Sequence, residues 1–161
     1  MLKLYVIRHG KAVKHTKSGK DFDRELNVKG IAQINQIGET MRRTGPKIDQ
    51  IIASGAKRTA ETAEIIEFYV KSVNIEFYDQ LYLAECETIM SLLKKQARGK
   101  TIVLVGHNYG LSDFVNYLCN QNALLSTGML AEINFNFDTW EEIGSNSGQL
   151  TTLLKPEVHT F

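Results

Sequence analysis

The stretch Leu2 to Lys11, LKLYVIRHGK, decides the fold of this 161-residue chain. Its first part is a near-continuous run of apolar residues of strand length, which is typical of a parallel strand that is buried on both faces. Arg8, His9 and Gly10 follow directly where the apolar run ends. Open α/β sheets bind their ligands at the carboxyl ends of such strands, so we expect this triplet to line a site at the centre of a sheet.

A second segment has the same design. Thr101 to Val105 is another apolar run, and it is followed by Gly106, His107 and Asn108. Two imidazoles at the carboxyl ends of two buried strands can meet over one crevice. A lone histidine in this position is more commonly a buried residue that the backbone satisfies, and Asn108 could equally cap the helix that follows. The pairing with the first strand is what favours a functional role.

A third apolar segment, residues 51–53, leads into a helix that begins near Lys57, with Arg58 in its first turn. An arginine at a helix N-terminus opposes the helix dipole unless an anion binds there. Arg8 and Arg58 would then converge with the two histidines. A guanidinium group can donate two parallel hydrogen bonds to two oxygens of one phosphate. This set of side chains therefore predicts a site for a phosphoryl group.

These motifs, in this order, resemble the histidine phosphatase superfamily, whose fold is the phosphoglycerate-mutase-like fold. The resemblance rests on Arg8-His9-Gly10, on residues 54–63 with the pattern S-x-A-x-R-T-x-x-T-A, and on residues 105–108, Val-Gly-His-Asn. Within the superfamily, the short length, residues 21–26 (DFDREL) and residues 81–84 (LYLA) are similar to the small SixA-type phosphohistidine phosphatases.

The resemblance implies a phosphatase in which His9 attacks phosphorus and water then hydrolyses the phosphohistidine intermediate. A neutral imidazole is a competent nucleophile near pH 7, and a backbone carbonyl such as that of Gly10 is expected to anchor its other ring nitrogen. The catalytic residues implied are His9, Arg8, Arg58 and His107. The residues implied to bind substrate are Arg8, Arg58, His107, Gly10 and Asn108.

The proton donor is where this sequence departs from the family pattern. Larger members carry a glutamate in a Leu-x-Glu stretch, and the corresponding stretch here is Leu81-Tyr82-Leu83. Glu85, two residues later, could supply the acid or could cap the helix that follows. Absence of an acid favours a substrate with a good leaving group, because an alkoxide needs a proton at departure whereas the imidazole of phosphohistidine leaves easily.

Strand and helix patterns alternate along most of the chain, which predicts an α/β fold. A short strand is expected from Val73 to Tyr78, and residues 129–137 and 148–154 predict two strands joined as a hairpin at one edge of the sheet. We therefore expect a single domain over residues 1–161. Its architecture would be three-layer α/β/α, with a mostly parallel central sheet and helices on both faces. The buried stripe expected for the first helix is Ile31, Ile34, Ile37 and Met41.

Composition narrows the choice of partner. The net charge is +1, from 19 basic and 18 acidic residues, so no global field attracts nucleic acid or a membrane, and any attraction for phosphate must be local. Cys86 and Cys119 lack the spacing of a metal site or a disulfide framework, which indicates reduced thiols in a cytoplasmic protein. The N-terminal apolar run is too short for a secretory signal. No metal or other cofactor is expected, since the arginines supply the positive charge.

Residues 11–23 form a polar segment with four lysines and His15. It could be a solvated loop, or it could overhang the site and add positive charge for an anionic substrate.

Two classes of function stay open. The first is a cofactor-independent phosphatase, preferably one that acts on a phosphohistidine-bearing signalling protein, with a general phosphomonoesterase on small phosphate esters as the alternative. The second is a module that binds phosphate or a phosphoprotein without turnover.

Overall fold

The computed structural model describes residues 1–71 and 74–158, and these parts contain six strands and four α-helices. The strands are β1 (Leu2–Arg8), β2 (Gln50–Ala53), β3 (Ile75–Phe77), β4 (Thr101–Gly106), β5 (Leu130–Phe135) and β6 (Gly148–Leu154). The helices are α1 (Val28–Thr44), α2 (Lys57–Val70), α3 (Cys86–Gln96) and α4 (Gly110–Cys119). Single turns of 3-10 helix lie at Asp21–Asp23, Asp79–Leu81 and Trp140–Glu142.

The strands form one sheet in the order β3-β2-β4-β1-β5-β6. β3, β2, β4 and β1 are parallel, whereas β5 and β6 form an antiparallel hairpin that pairs with β1 through β5. The predictions of a mostly parallel sheet and of a C-terminal edge hairpin are therefore confirmed. The strand predicted to begin at Val73 begins at Ile75, and Val73 itself lies outside the described residues.

The core lies on both faces of the sheet, as the apolar run in β1 predicts. Leu4 and Val6 point into one cluster with the inward side chains of α3 and α4, while Tyr5 and Ile7 point into the other with those of α1 and α2. This alternation follows from the two-residue period of a strand. Burying one large apolar side chain stabilises the fold by about 1.5–3 kcal/mol, so the two layers of helices hold β1 firmly at the centre.

Helix α1 buries Ile34, Ile37 and Met41, as expected, but not Ile31. Ile31 is 42% exposed, and the inward positions of the helix include Gly30 and Gly38. A Cβ on Gly30 would lie 2.0 Å from the carbonyl oxygen of Lys11, and a Cβ on Gly38 would lie 2.2 Å from the Tyr69 ring. The glycines take the inward positions because the loop after β1 and helix α2 approach too closely for any larger residue.

The two ends of the parallel strands differ in chemistry. The carboxyl ends of β1, β2 and β4 open onto polar residues, whereas the turn between β5 and β6 covers the opposite end. There Trp140 donates a hydrogen bond from Nε1 to the carbonyl oxygen of Gly99 at 2.8 Å and packs against Phe135. None of the helices within residues 1–71 and 74–158 has the length and apolar character needed to cross a membrane.

Candidate active site

The carboxyl ends of three parallel strands bring two histidines and an arginine together. His9 follows β1, His107 follows β4, and their ring centroids lie 5.4 Å apart. Arg58 enters from the first turn of α2, with Nε 3.3 Å from Nε2 of His9 and Nη2 3.4 Å from Nδ1 of His107. All three side chains are buried, so the cluster is shielded from bulk water and its electrostatic interactions are strong.

The hydrogen bonds of His9 fix its tautomer. Nδ1 lies 2.7 Å from the carbonyl oxygen of Gly10. A carbonyl only accepts hydrogen bonds, so Nδ1 carries the hydrogen and Nε2 carries the lone pair that faces Arg58. Burial lowers the pKa of His9 to about 4, with the positive charge of Arg58 adding to the effect. His9 is therefore a neutral imidazole at pH 7, and its Nε2 lone pair points into the cluster, where it accepts from Arg58.

His107 has the opposite tautomer. Its Nδ1 accepts from Nη2 of Arg58, so Nε2 carries the hydrogen and donates it to the hydroxyl oxygen of Ser54 at 2.9 Å. Burial lowers the pKa of His107 to about 3, assisted by the neighbouring His9 and Arg58. At pH 7 this imidazole is also neutral, and its unprotonated nitrogen faces the cluster.

Arg58 is anchored by a carboxylate that the sequence analysis did not identify. The side chain is buried, and it donates from Nη1 to the carbonyl oxygen of Asp21 at 2.8 Å and from Nη2 to the Asp21 carboxylate at 2.9 Å. This contact supplies the anion that an arginine at a helix N-terminus needs. Residues 21–26 were informative only as a family motif, and the sequence held no signal that Asp21 would reach Arg58.

Asp21 is held by three donors at once. Besides Arg58, it accepts from the hydroxyl of Tyr82 and from Nη1 of Arg24, the latter at 2.8 Å. The hydrogen bond from Tyr82 is the largest cause that keeps the pKa of Asp21 far below its usual range, and those from Arg24 and Arg58 add to it. Asp21 is a permanent anion at working pH and is unsuited to donate a proton. Tyr82 also packs its ring edge-on to His107, with centroids 5.4 Å apart.

Arg8 and Asn108 converge on one backbone carbonyl. Arg8 donates from Nη1 to the carbonyl oxygen of Leu125 at 3.0 Å, and Asn108 donates to the same atom from Nδ2 at 3.1 Å. The Nε of Arg8 has no hydrogen-bond partner in the described part of the chain, and burial lowers the pKa of Arg8. The Asn108 Oδ1 accepts from the backbone N–H and the hydroxyl of Ser112 in the first turn of α4, so Asn108 supports the start of this helix from the residue before its N-cap, Tyr109.

Gly10 supports the site through its backbone. Its carbonyl accepts from His9, and its N–H donates to Oγ1 of Thr62 at 3.2 Å. A Cβ at this position would lie 2.7 Å from the carbonyl oxygen of Gly30, so the turn passes directly against α1. Gly10 thus holds the nucleophile in place, and its N–H is already engaged within the protein.

Glu85 and Leu83 lie apart from the cluster. Glu85 is exposed at the N-cap of α3, and across residues 1–71 and 74–158 it makes no hydrogen bond or ion pair with the cluster. Leu83 is 55% exposed and adopts a positive φ of 50°. The described residues also contain no group of three or more His, Cys, Asp or Glu side chains that could hold a metal ion.

Comparison with known proteins gives the family. Residues 4–87, just over half of the chain, match the model of the histidine phosphatase superfamily (branch 1). The chain belongs to this superfamily. Membership makes the protein a phosphatase, in agreement with the two buried histidines and the buried Arg58 of the site. One relative is an uncharacterized chloroplastic protein of Arabidopsis thaliana, 25% identical over 174 residues, which cover 99% of this chain and 80% of the relative.

Solved structures place the fold among the SixA-type members. A candidate phosphohistidine phosphatase SixA from Nakamurella multipartitia is 20% identical with a TM-score of 0.86, covering 98% of this chain and 97% of that one. A candidate phosphohistidine phosphatase SixA from Agrobacterium tumefaciens is 25% identical with a TM-score of 0.83, covering 96% and 98%. A protein histidine phosphatase SixA bound to tungstate is 16% identical with a TM-score of 0.82, covering 96% and 97%.

Proposed function

We propose that this protein is a cofactor-independent protein phosphohistidine phosphatase that works through a phosphorylated His9. The observation that carries the proposal is the fixed tautomer of His9. Its hydrogen is held on Nδ1 by the Gly10 carbonyl, and its Nε2 lone pair faces the Arg58 guanidinium at 3.3 Å. A neutral nucleophile beside a cation is the arrangement that phosphoryl transfer needs.

In the first step the lone pair of His9 Nε2 attacks phosphorus and the bond to the leaving group breaks. The Nε–H of Arg58 no longer donates to Nε2 of His9. Arg58, together with Arg8, then donates to the phosphoryl oxygens. The negative charge of the phosphoryl group raises the pKa of His107, so that Nδ1 takes up a proton from solvent as the substrate binds, donates a hydrogen bond to a phosphoryl oxygen, and returns the proton to solvent when phosphate leaves. Ser54 continues to accept from Nε2 of His107 throughout, because that hydrogen is not the one transferred.

In the second step water attacks the phosphorus of phosphorylated His9, and Nε2 takes back its electron pair. Nδ1 keeps its hydrogen, which it donates to the Gly10 carbonyl, so the phosphorylated ring is cationic. When the P–N bond breaks, the ring therefore leaves as a neutral imidazole. Inorganic phosphate and one proton are released. The same argument applies to the substrate in the first step. If its phosphohistidine is protonated on the other ring nitrogen, the imidazole of the substrate also leaves in neutral form, and the enzyme need not donate a proton.

The carboxylates around the cluster support the choice of substrate. Asp21 is a permanent anion, and Glu85 is exposed and forms no bond with the cluster. Neither is placed to protonate an alkoxide. A P–N bond is therefore the favoured substrate bond, and a candidate phosphohistidine phosphatase is among the structural neighbours at 25% identity. We also propose one domain over residues 1–161, a cytoplasmic location and a phosphohistidine-bearing signalling protein as the partner.

The test is to trap the intermediate. A phosphohistidine peptide carrying labelled phosphate should leave an acid-labile, alkali-stable label on His9 during a brief reaction, and His9→Ala should carry none. A chromogenic aryl phosphate should show a burst equal to the enzyme concentration. Binding of phosphate without any release from either substrate would instead assign the protein to the class of binding modules. Equal rates on aryl, alkyl and phosphohistidine substrates would assign it as a general phosphomonoesterase.

A further inference from the structure

A polar cavity of about 250 Å³ opens beside the catalytic cluster, in the loop between β1 and α1. Its basic lining residues are Lys14, His15, Lys20 and Arg24, and its acidic lining residue is Asp21. Because Asp21 also binds Arg58, the cavity and the catalytic cluster share a wall. This cavity is therefore within reach of the groups next to a phosphoryl group that lies on the cluster.

The positive charge of this loop is not balanced locally. Residues 11–24 contain five Lys or Arg and two Asp, a net charge of +3, whereas the whole chain has a net charge of +1. Among residues 1–71 and 74–158, no carboxylate lies within 4.0 Å of the ammonium group of Lys14 or Lys20. The Asp21 carboxylate is already engaged by three donors. The cavity thus offers unpaired cations to a ligand.

The loop is held in shape by its own hydrogen bonds. Arg24 donates from Nε to the carbonyl oxygen of Val13 at 2.7 Å, and Ser18 donates to the Asp23 carboxylate at 2.7 Å. An isolated β-bridge between residues 12 and 26 closes its base. A cavity with a fixed shape costs a ligand less ordering entropy than a mobile loop would.

A second flank of the cluster, beside Arg8 and Asn108, is lined mainly by apolar side chains and also carries Lys155. A cavity of about 440 Å³ there is lined by Arg8 and Asn108 together with Tyr109, Leu124 and Met129. Tyr109 is 73% exposed and Leu124 is also exposed. Exposed aromatic and aliphatic side chains next to a charged rim are typical of protein interfaces. A small phosphate ester on the cluster would leave one of the two flanks unused, whereas a protein surface covers both.

We propose that the cavity lined by Lys14, Lys20 and Arg24 is an anion subsite that holds carboxylate side chains next to the phosphorylated residue of a protein substrate. This inference rests on the proposed function and names the class of protein that the site accepts. Lysine ammonium groups on flexible stems tolerate carboxylates at varied positions, unlike a bidentate arginine pair. Each such surface ion pair is weak, so the subsite acts mainly on selection and on the rate of encounter.

The experiment uses two phosphohistidine peptides that are identical except that the flanking residues are Glu in one and Gln in the other. Wild-type protein should show a kcat/KM about fivefold or more higher on the Glu peptide, and added salt should reduce this preference. The double variant Lys14→Gln/Lys20→Gln should lose the preference. The matched control Lys94→Gln/Lys95→Gln has the same change of charge in the last turn of α3, away from the cavity, and should keep it.

The outcomes separate the subsite from the proposed function. Equal rates of wild-type protein on the two peptides, or a preference that survives in the double variant, would overturn the subsite. A preference for a bisphosphorylated small ester that is lost in the same variant would assign the cavity to a second phosphate and would also overturn it. If neither peptide is dephosphorylated while an aryl phosphate is, the phosphohistidine proposal fails. The subsite is then tested by whether the unphosphorylated Glu peptide inhibits aryl phosphate hydrolysis more than the Gln peptide does.

Discussion

The ends of β1 and β4 carry the same side chain with opposite tautomers. His9 donates from Nδ1 to a carbonyl, and His107 donates from Nε2 to the hydroxyl of Ser54. A carbonyl has no hydrogen to give, so His9 can only present a lone pair on Nε2. A hydroxyl continues to accept after the other ring nitrogen is protonated, so His107 can change from acceptor to donor when an anion arrives. The partner atom, rather than the residue type, separates the nucleophile from the group that stabilises charge.

Removing the two imidazoles should therefore have unequal effects. His9→Ala should lower kcat/KM by at least roughly 10⁴-fold, because no other group forms the intermediate. His107→Ala should lower it by roughly 10²- to 10³-fold, because one hydrogen bond to the transition state is lost. Steady-state kinetics on an aryl phosphate measures both. Label trapped on His107, or full activity of His9→Ala, would reverse the two assignments.

Arg58 contacts both imidazoles and so links the end of β1 to the end of β4. Arg58→Ala should lower kcat/KM by an amount that corresponds to a loss of roughly 3 kcal/mol or more of transition-state stabilisation, because a charge-assisted contact in the transition state is removed. Arg58→Lys should restore little, since an ammonium group lacks the planar fork. The side chain is only 3% exposed and paired with Asp21, so the melting temperature should fall as well. Kinetics measured far below that temperature separates the two effects, and a loss of stability without a kinetic defect would make Arg58 a structural residue.

The depressed pKa values make stability sensitive to acid. In the unfolded chain both histidines have a pKa near 6.5. In the folded protein the pKa is about 4 for His9 and about 3 for His107. The unfolded state therefore holds more protons between these values, and the free energy of unfolding falls as pH decreases from about 6.5. The share of His9 is on the order of 2 kcal/mol at pH 4.5.

Urea unfolding at pH 7 and pH 4.5 measures this loss. His9→Asn should show a smaller decrease than the wild-type protein, because the titrating group is absent. The same decrease in both proteins would show that folding leaves the pKa of His9 unchanged.

The hydroxyl partner of His107 can be removed, unlike the carbonyl partner of His9. Ser54→Ala should lower kcat/KM by about tenfold, since the imidazole loses the acceptor that orients it. The position acts through His107, so the pH dependence of kcat/KM should shift as well. Ser54→Thr keeps the hydroxyl and should retain more activity if the extra methyl group fits. A purely structural role would lower stability and leave the pH profile in place.

The smallest effect is expected at Glu85. Glu85→Gln should change kcat/KM by less than about twofold on aryl phosphates and phosphohistidine, because the side chain forms no bond with the cluster. Both proteins should show a steep dependence of rate on leaving-group basicity. A shallow dependence in the wild-type protein that becomes steep in Glu85→Gln would identify Glu85 as the acid and would remove the chemical argument for phosphohistidine.

The sequence predicted those parts of the site that follow strand ends. Apolar runs before His9 and His107 located both imidazoles, because the carboxyl ends of parallel strands must meet at one edge. Asp21 and Tyr82 could not be located in this way. Asp21 begins the 3-10 turn Asp21–Asp23 and Tyr82 directly follows the one at Asp79–Leu81, and the paths of these short turns depend on tertiary contacts rather than on periodicity. Ile31 was wrongly expected in the core because close approach to the loop after β1 requires glycine at the inward position.

The position of Trp140 gives the protein a convenient optical property. It is the sole tryptophan of the sequence, it is buried, and it bonds to the carbonyl of Gly99 just before β4, at the edge of the sheet opposite the two imidazoles. Strand β4 has six residues, so about 20 Å separates the indole from the cluster. Its emission spectrum should report unfolding of the whole molecule and stay constant when an oxyanion such as tungstate binds. One fluorescence signal can therefore verify that each active-site variant is folded, without interference from ligand.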